Sequence, residues 1–171
     1  MTTTLGPSEL RAAARVLSSP SLIRLITEID DNGPIPPRAL TATLSGLTPD
    51  RTHRAAHTAR TLRLTQIVPG EGLGLTTAGS GLADFYDATA RWARYHAYPQ
   101  AACDFTSRIQ HTLDLLIHVL TAETANGPHH TPSTHMPNGE STDEDLSAHL
   151  TRWLVANPQI THPGTQHGLA A

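Results

Sequence analysis

Between Leu40 and Thr76 two helical stretches are joined by the tight turn Ser45-Gly46-Leu47, and the second runs directly into a hairpin closed by Pro and Gly. Few folds accommodate that order. Leu40 and Leu44 stand four apart behind Pro36-Pro37, and Gly46 ends this short helix. Thr48 caps a second helix that opens on Pro49 and reaches about Leu64. A Thr hydroxyl accepts a first-turn N–H, and Pro at the first position has no N–H to leave unpaired. Leu64–Val68 and Leu73–Thr76 are short apolar runs on either side of Pro69-Gly70-Glu71-Gly72, which predicts an antiparallel hairpin.

The flanking segments are helical. Ser8 caps a first helix that runs to about Leu17. Pro20 opens the next, with Leu22, Ile23, Leu25, Ile26 and Ile29 at helical spacing before Asn32-Gly33 stops it. After the hairpin, a helix carries Leu82, Phe85, Tyr86, Thr89, Trp92 and Ala93 on one face. Pro99 is read as opening a long helix whose Ala102, Phe105, Ile109, Leu113, Leu116 and Leu120 make a continuous apolar seam.

The fold expected is mainly α: a winged helix-turn-helix domain with long N- and C-terminal dimerisation helices. The boundaries read as a dimerisation helix over 1–18, the winged domain over 19–97, and a second dimerisation helix over 98–122. A flexible linker follows over 123–141, rich in Pro, Gly, Ser, Thr and His, and then an accessory helix and tail over 142–171. In that last helix Ser141 and Glu144 fit a capping box, and Leu146, Leu150, Trp153 and Leu154 form a docking stripe.

Composition narrows the function classes. A net charge of −3 argues against coating nucleic acid by bulk charge, and 4% aromatics are too few for a single-strand stacking platform. One cysteine, Cys103, excludes an internal disulfide. No apolar run approaches a membrane span and the N-terminus lacks a secretory pattern, so a cytoplasmic protein without membrane partners is expected. Every one of the 12 basic residues is arginine, the signature of a GC-rich genome, so an arginine alone does not mark a phosphate ligand.

The stretch from about Val16 to His96 resembles the HxlR-type winged-helix regulators, close in shape to the MarR group. The residues that carry the resemblance are Asn32-Gly33-Pro34, Leu40, Leu44, Gly46-Leu47-Thr48, Leu75-Thr76-Thr77-Ala78-Gly79 and, thirteen residues after the last, Trp92. It implies a homodimer that binds double-stranded DNA and answers to a small-molecule effector. The chain departs from that pattern at Pro36-Pro37, at Thr52, Ala56 and Ala59 where the family has leucines, at Arg63 where it has glycine, and in a hairpin without a cation.

Residues 49–64 carry Arg51, Arg54, Arg60 and Arg63 against Asp50, a local +3 in an acidic protein. At about 100° per residue, Thr52, Ala55, Ala56, Ala59, Leu62 and Arg63 face inward, and Asp50, His53, Arg54, His57, Thr58 and Thr61 face out. Arg and His donate to guanine edges and Thr meets a thymine methyl or a phosphate, so the DNA-binding set is Thr48, Arg51, His53, Arg54, His57, Thr58 and Arg60. The dimer interface is assigned to Leu10, Leu17, Phe105, Ile109, Leu113, Leu116 and Leu120, on the argument that an apolar seam this long needs a partner to cover it. An effector cavity is expected among Phe85, Tyr86, Trp92, Tyr95 and Phe105.

His111, Asp114 and His118 share one arc of the long helix, and His129, His130 and His135 sit in the linker. Both sets read as solvated residues rather than metal ligands. No cofactor or metal is expected, and no catalytic constellation stands out. The alternative reading is the same scaffold turned into a small-molecule binder or enzyme of a biosynthetic pathway, motivated by the acidic hairpin and Pro36-Pro37.

Overall fold

The structure, a computed structural model, describes residues 5–100, 103–126 and 140–162, with side chains described over 5–100, 103–122 and 146–162. The chain is mainly helical with one small antiparallel sheet. Its elements are α1 (Pro7–Leu17), α2 (Pro20–Asn32), α3 (Leu40–Thr43), α4 (Pro49–Thr61), β1 (Thr65–Val68), β2 (Gly72–Leu75), α5 (Thr77–Tyr95), α6 (Phe105–Asn126) and α7 (Glu140–Ala156), followed by a 3-10 turn at Pro158–Ile160.

Local chemistry sets most of these limits. The Glu9 carboxylate accepts the Gly6 N–H at 2.6 Å, so the cap of α1 is Gly6 rather than Ser8. Pro20 opens α2, and Gly33, at φ 85°, ends it in a conformation that a side chain resists. Thr48 Oγ1 accepts the Arg51 N–H at 3.4 Å and starts α4. The buried side of α4 is Thr52, Ala55, Ala56 and Ala59, small enough for the helix to lie close on α2. Arg63 is not on that side: α4 stops at Thr61, and Arg63 is exposed at φ 56°, at the position where the resembling family has glycine.

The hairpin pairs Thr65 with Leu75, Gln66 with Gly74, Ile67 with Leu73 and Val68 with Gly72. Ile35 adds a single bridge to Leu73 through N–H to O bonds of 2.9 and 2.8 Å. Thr76 joins hairpin to helix twice over. Its hydroxyl donates to the Arg63 carbonyl at 2.6 Å and accepts the Gly79 N–H at 3.1 Å. Gly79 lies so close to the Leu64 carbonyl that a Cβ there would collide with it. The Leu75–Gly79 motif is therefore a joint between hairpin, α4 and α5.

α5 is the spine, packed on α2, α6 and α7 through the buried Leu82, Phe85, Tyr86, Thr89, Ala90 and Ala93. Tyr86 is wholly buried and donates its hydroxyl to the Leu17 carbonyl at 2.7 Å. α7 fastens to the start of α5, where Trp153 Nε1 donates to the Ala78 carbonyl at 3.1 Å and His149 stands edge-on to Phe85. Beyond it, Gln159 Nε2 reaches the Leu62 carbonyl at 3.3 Å and His162 Nε2 meets Glu9 Oε1 at 2.9 Å.

The long helix does not open on Pro99. It begins at Phe105 behind Asp104, whose carboxylate accepts the Ser107 N–H at 3.1 Å and the Ser107 hydroxyl at 2.6 Å. These bonds hold the Asp104 carboxyl below its ordinary pKa. α6 runs on to Asn126, into the stretch assigned to the linker, and α7 starts at Glu140. Ala102 and the three linker histidines lie outside the described residues, as do the side chains of the Ser141–Glu144 box.

The seam assigned to a dimer is filled from within the chain. α1 packs against α6, and Leu10, Leu17, Ile109, Leu113 and Leu116 are at most 5% exposed in the single chain. Phe105 and Leu120 are half-buried against the same core. The small face of α1 (Leu10, Ala13, Ala14, Leu17) is what covers the seam, so no second copy is needed for that purpose. Buried residues from Leu5 to Ile160, those of α1, α2, α5, α6 and α7 among them, share one core.

Candidate nucleic-acid interface

α3 packs against α4 across the turn at Ser45–Leu47, and α4 is laid on α2 by its alanine face. What α4 leaves uncovered is polar and cationic. Arg51, His53, Arg54, His57, Arg60 and Thr61 are exposed, as is the cap Thr48, and Thr58 is half-buried. Taking about 100° per residue, Arg54, His57 and Thr61 form the crown of the helix. Arg51 and Thr58 lie on the shoulder toward α2, and His53 and Arg60 on the other.

Arg54 is not idle in the free protein. Its Nη2 is 2.7 Å from the Asp50 carboxylate, one helical turn back, with both side chains nearly four-fifths exposed. Such an exposed i,i+4 pair is worth only about 0.3–0.5 kcal/mol. A phosphate or a guanine edge can replace Asp50 at little cost.

A groove of about 360 Å³ runs along the α2 side of α4. Ser19, Pro20, Ser21 and Leu22 line one wall, and Arg51, Arg54, Ala55 and Thr58 the other. The first wall is the beginning of α2, the positive end of that helix. The other end of α2 has the opposite sign. There Asp30 is raised above its ordinary pKa by burial and by the neighbouring charges of Asp84, Asp31 and Asp87. α2 is 13 residues long, so about 20 Å separates its two ends.

Arg24 lies one turn into α2, with its guanidinium against Gly46, where a Cβ would strike it. It brings another cation to the turn between α3 and α4. Ser19, Ser21 and Arg24 are absent from the sequence-derived set. Arg24 had a signal, being the cation on the polar side of an amphipathic α2, but the serines acquire meaning only once α2 and α4 are packed. The hairpin adds no cation, and its exposed side chains include Gln66, Ile67 and Glu71.

The five residues assigned to an effector cavity do not share one environment. Phe85 and Tyr86 are fully buried packing groups, and Trp92 is buried with its ring 4.4 Å from that of His96. Tyr95 points into solvent at 81% exposure, and Phe105 packs on the core from α6. Burial pushes the Tyr86 hydroxyl far above its ordinary pKa, and its proton is committed to Leu17, so it does no acid–base work.

His111, Asp114 and His118 are exposed on α6. Among the described residues no group of three or more His, Cys, Asp or Glu is placed to hold a metal ion. Among the described residues, too, no helix is long and apolar enough to cross a membrane. Cys103 is a half-buried free thiol just before α6. Comparison of the chain with family models, with curated proteins and with solved structures returned no match.

Proposed function

We propose that the protein is a winged helix-turn-helix regulator of the HxlR-like kind, which binds double-stranded DNA in the cytoplasm through α4. One observation carries this reading: a helix that follows a tight turn leaves Arg51, His53, Arg54, His57 and Arg60 exposed together while its other side is sealed by alanines. A bare cationic helix at the edge of a small domain has the width and chemistry of a major-groove reader. The hairpin, fixed by Thr76 and by the Ile35 bridge, follows α4 directly and serves as the wing in this reading. The acids around Asp30 sit at the far end of α2, so the repulsive charge is kept from the phosphates.

Two half-sites take two copies in this reading. Because the α1–α6 seam is filled inside each chain, the copies meet on the DNA rather than through that seam. A small-molecule effector keeps its place in the reading only through the resemblance, since four of the five aromatic residues assigned to it pack into the core and Tyr95 faces solvent. The test is a gel-shift assay at low salt on the duplex beside the protein's own gene. Specific retention that is lost in the double variant Arg51→Ala, Arg54→Ala supports the reading. Retention unaffected by that variant, or none at all, counts against it.

A further inference from the structure

We infer that the groove between α2 and α4 is a seat for one phosphodiester of the DNA backbone, and that Arg51 and Arg54 hold that phosphate rather than read bases. This rests on the DNA-binding reading and divides the α4 face in two. The groove is a cavity of about 360 Å³, and Arg51, Arg54 and Thr58 of α4 form one wall of it. Arg51 and Thr58 fall on the shoulder of the helix turned toward α2, with Arg54 at the edge of the crown beside them, away from the side that carries His53 and Arg60. The facing wall supplies Ser19 and Ser21, and α2 contributes its positive end behind them. Two arginines, hydroxyl-bearing residues of both helices and a helix start thus line one volume.

Leu22 and Ala55 complete the lining, which holds no carboxylate. The acid nearest in sequence, Asp50, is tied to Arg54 at 2.7 Å and is not part of the lining. A phosphodiester, with one negative charge shared by two oxygens, fits this chemistry, since a guanidinium can donate to each oxygen. The exposed Asp50–Arg54 pair is weak enough to yield to it. Held there, a backbone phosphate sets the depth and register of α4, and His57, Thr61, His53 and Arg60 are left to meet base edges.

The experiment measures binding of a fluorescein-labelled, mixed-sequence duplex by anisotropy across a salt series, for the full chain and for Ser21→Asp and Arg51→Gln. Ser21 is in the first turn of α2, where a carboxylate favours the helix, so the aspartate variant keeps its fold and its thermal midpoint does not fall. Each variant is expected to bind about tenfold more weakly, equally on every sequence, with a slope of log affinity against log salt shallower by about one. Variants with unchanged affinity and slope overturn the inference while leaving the DNA-binding reading intact. So does an Arg51→Gln protein whose loss is confined to duplexes with guanine at one position, because that Arg would then be a base reader. If the unmodified chain binds no duplex at any salt concentration, the functional reading itself has failed, and the inference with it.

Discussion

Leu113→Ala probes where the α1–α6 seam gets its cover. Leu113 is fully buried in a helix that packs on α1 and α5 of the same chain. Removing its isopropyl group forfeits about 2.4 kcal/mol of transfer free energy, at about 0.8 kcal/mol per carbon, and the cavity left behind raises the cost to about 3–4 kcal/mol. Urea unfolding followed by tryptophan fluorescence reports it directly, because Trp92 and Trp153 are both buried in the shared core. The decisive control is protein concentration. A seam closed within one chain gives the same unfolding midpoint at about 1 μM and at about 100 μM, whereas a seam closed between two chains loses about 2.7 kcal/mol on that dilution. A midpoint that falls on dilution, or a Leu113→Ala cost below about 1 kcal/mol, would refute the packing described above.

Two further outcomes follow from single residues. Arg63 holds a left-handed backbone at φ 56°, so Arg63→Gly is expected to raise stability by about 0.5 kcal/mol in thermal melts, the relief of that conformation being offset in part by the flexibility of glycine in the unfolded chain. Arg63→Val should lower it. Asp30 has a raised pKa from burial and from Asp84, Asp31 and Asp87. Its ionised form is therefore a cost to the folded state at neutral pH, relieved as pH falls through the folded value and gone below the ordinary 3.8. Asp30→Asn should accordingly stabilise by about 0.3 kcal/mol at pH ~7 and by nothing at pH ~3; equal gains at both would show that charge is not the cause.

The order of elements was legible because it rests on local chemistry. Thr48-Pro49, Asn32-Gly33 and the Pro69–Gly72 turn each act within a few residues, and α4, the end of α2 and the hairpin stand close to where those signals put them. A helix start is hard to read where a stronger cap lies nearby: Pro99 suggests a boundary, but the Asp104–Ser107 bonds make it. The seam shows the limit of periodicity. Spacing says that Ile109, Leu113 and Leu116 must be covered, yet is the same whether the cover is α1 of one chain or of another. Phe85 and Tyr86 illustrate the same ambiguity, since a helical aromatic stripe suits a cavity wall and a solid core equally. The α2–α4 groove joins residues 19–22 to residues 51–58, and no local pattern links segments so far apart.

DNA binding through α4 is the central claim, and selection from a pool of random duplexes tests it whatever the sequence of the site. The chain is mixed with the pool at low salt, and retained duplexes are sequenced over successive rounds. Enrichment of a short motif of major-groove width is expected. Affinity for that motif should fall steeply and linearly on logarithmic axes as salt rises, and the enrichment should vanish when His57 and Arg60 are replaced by Ala. A pool that stays random through every round, or an enriched motif bound equally well by the His57→Ala, Arg60→Ala protein, would contradict it.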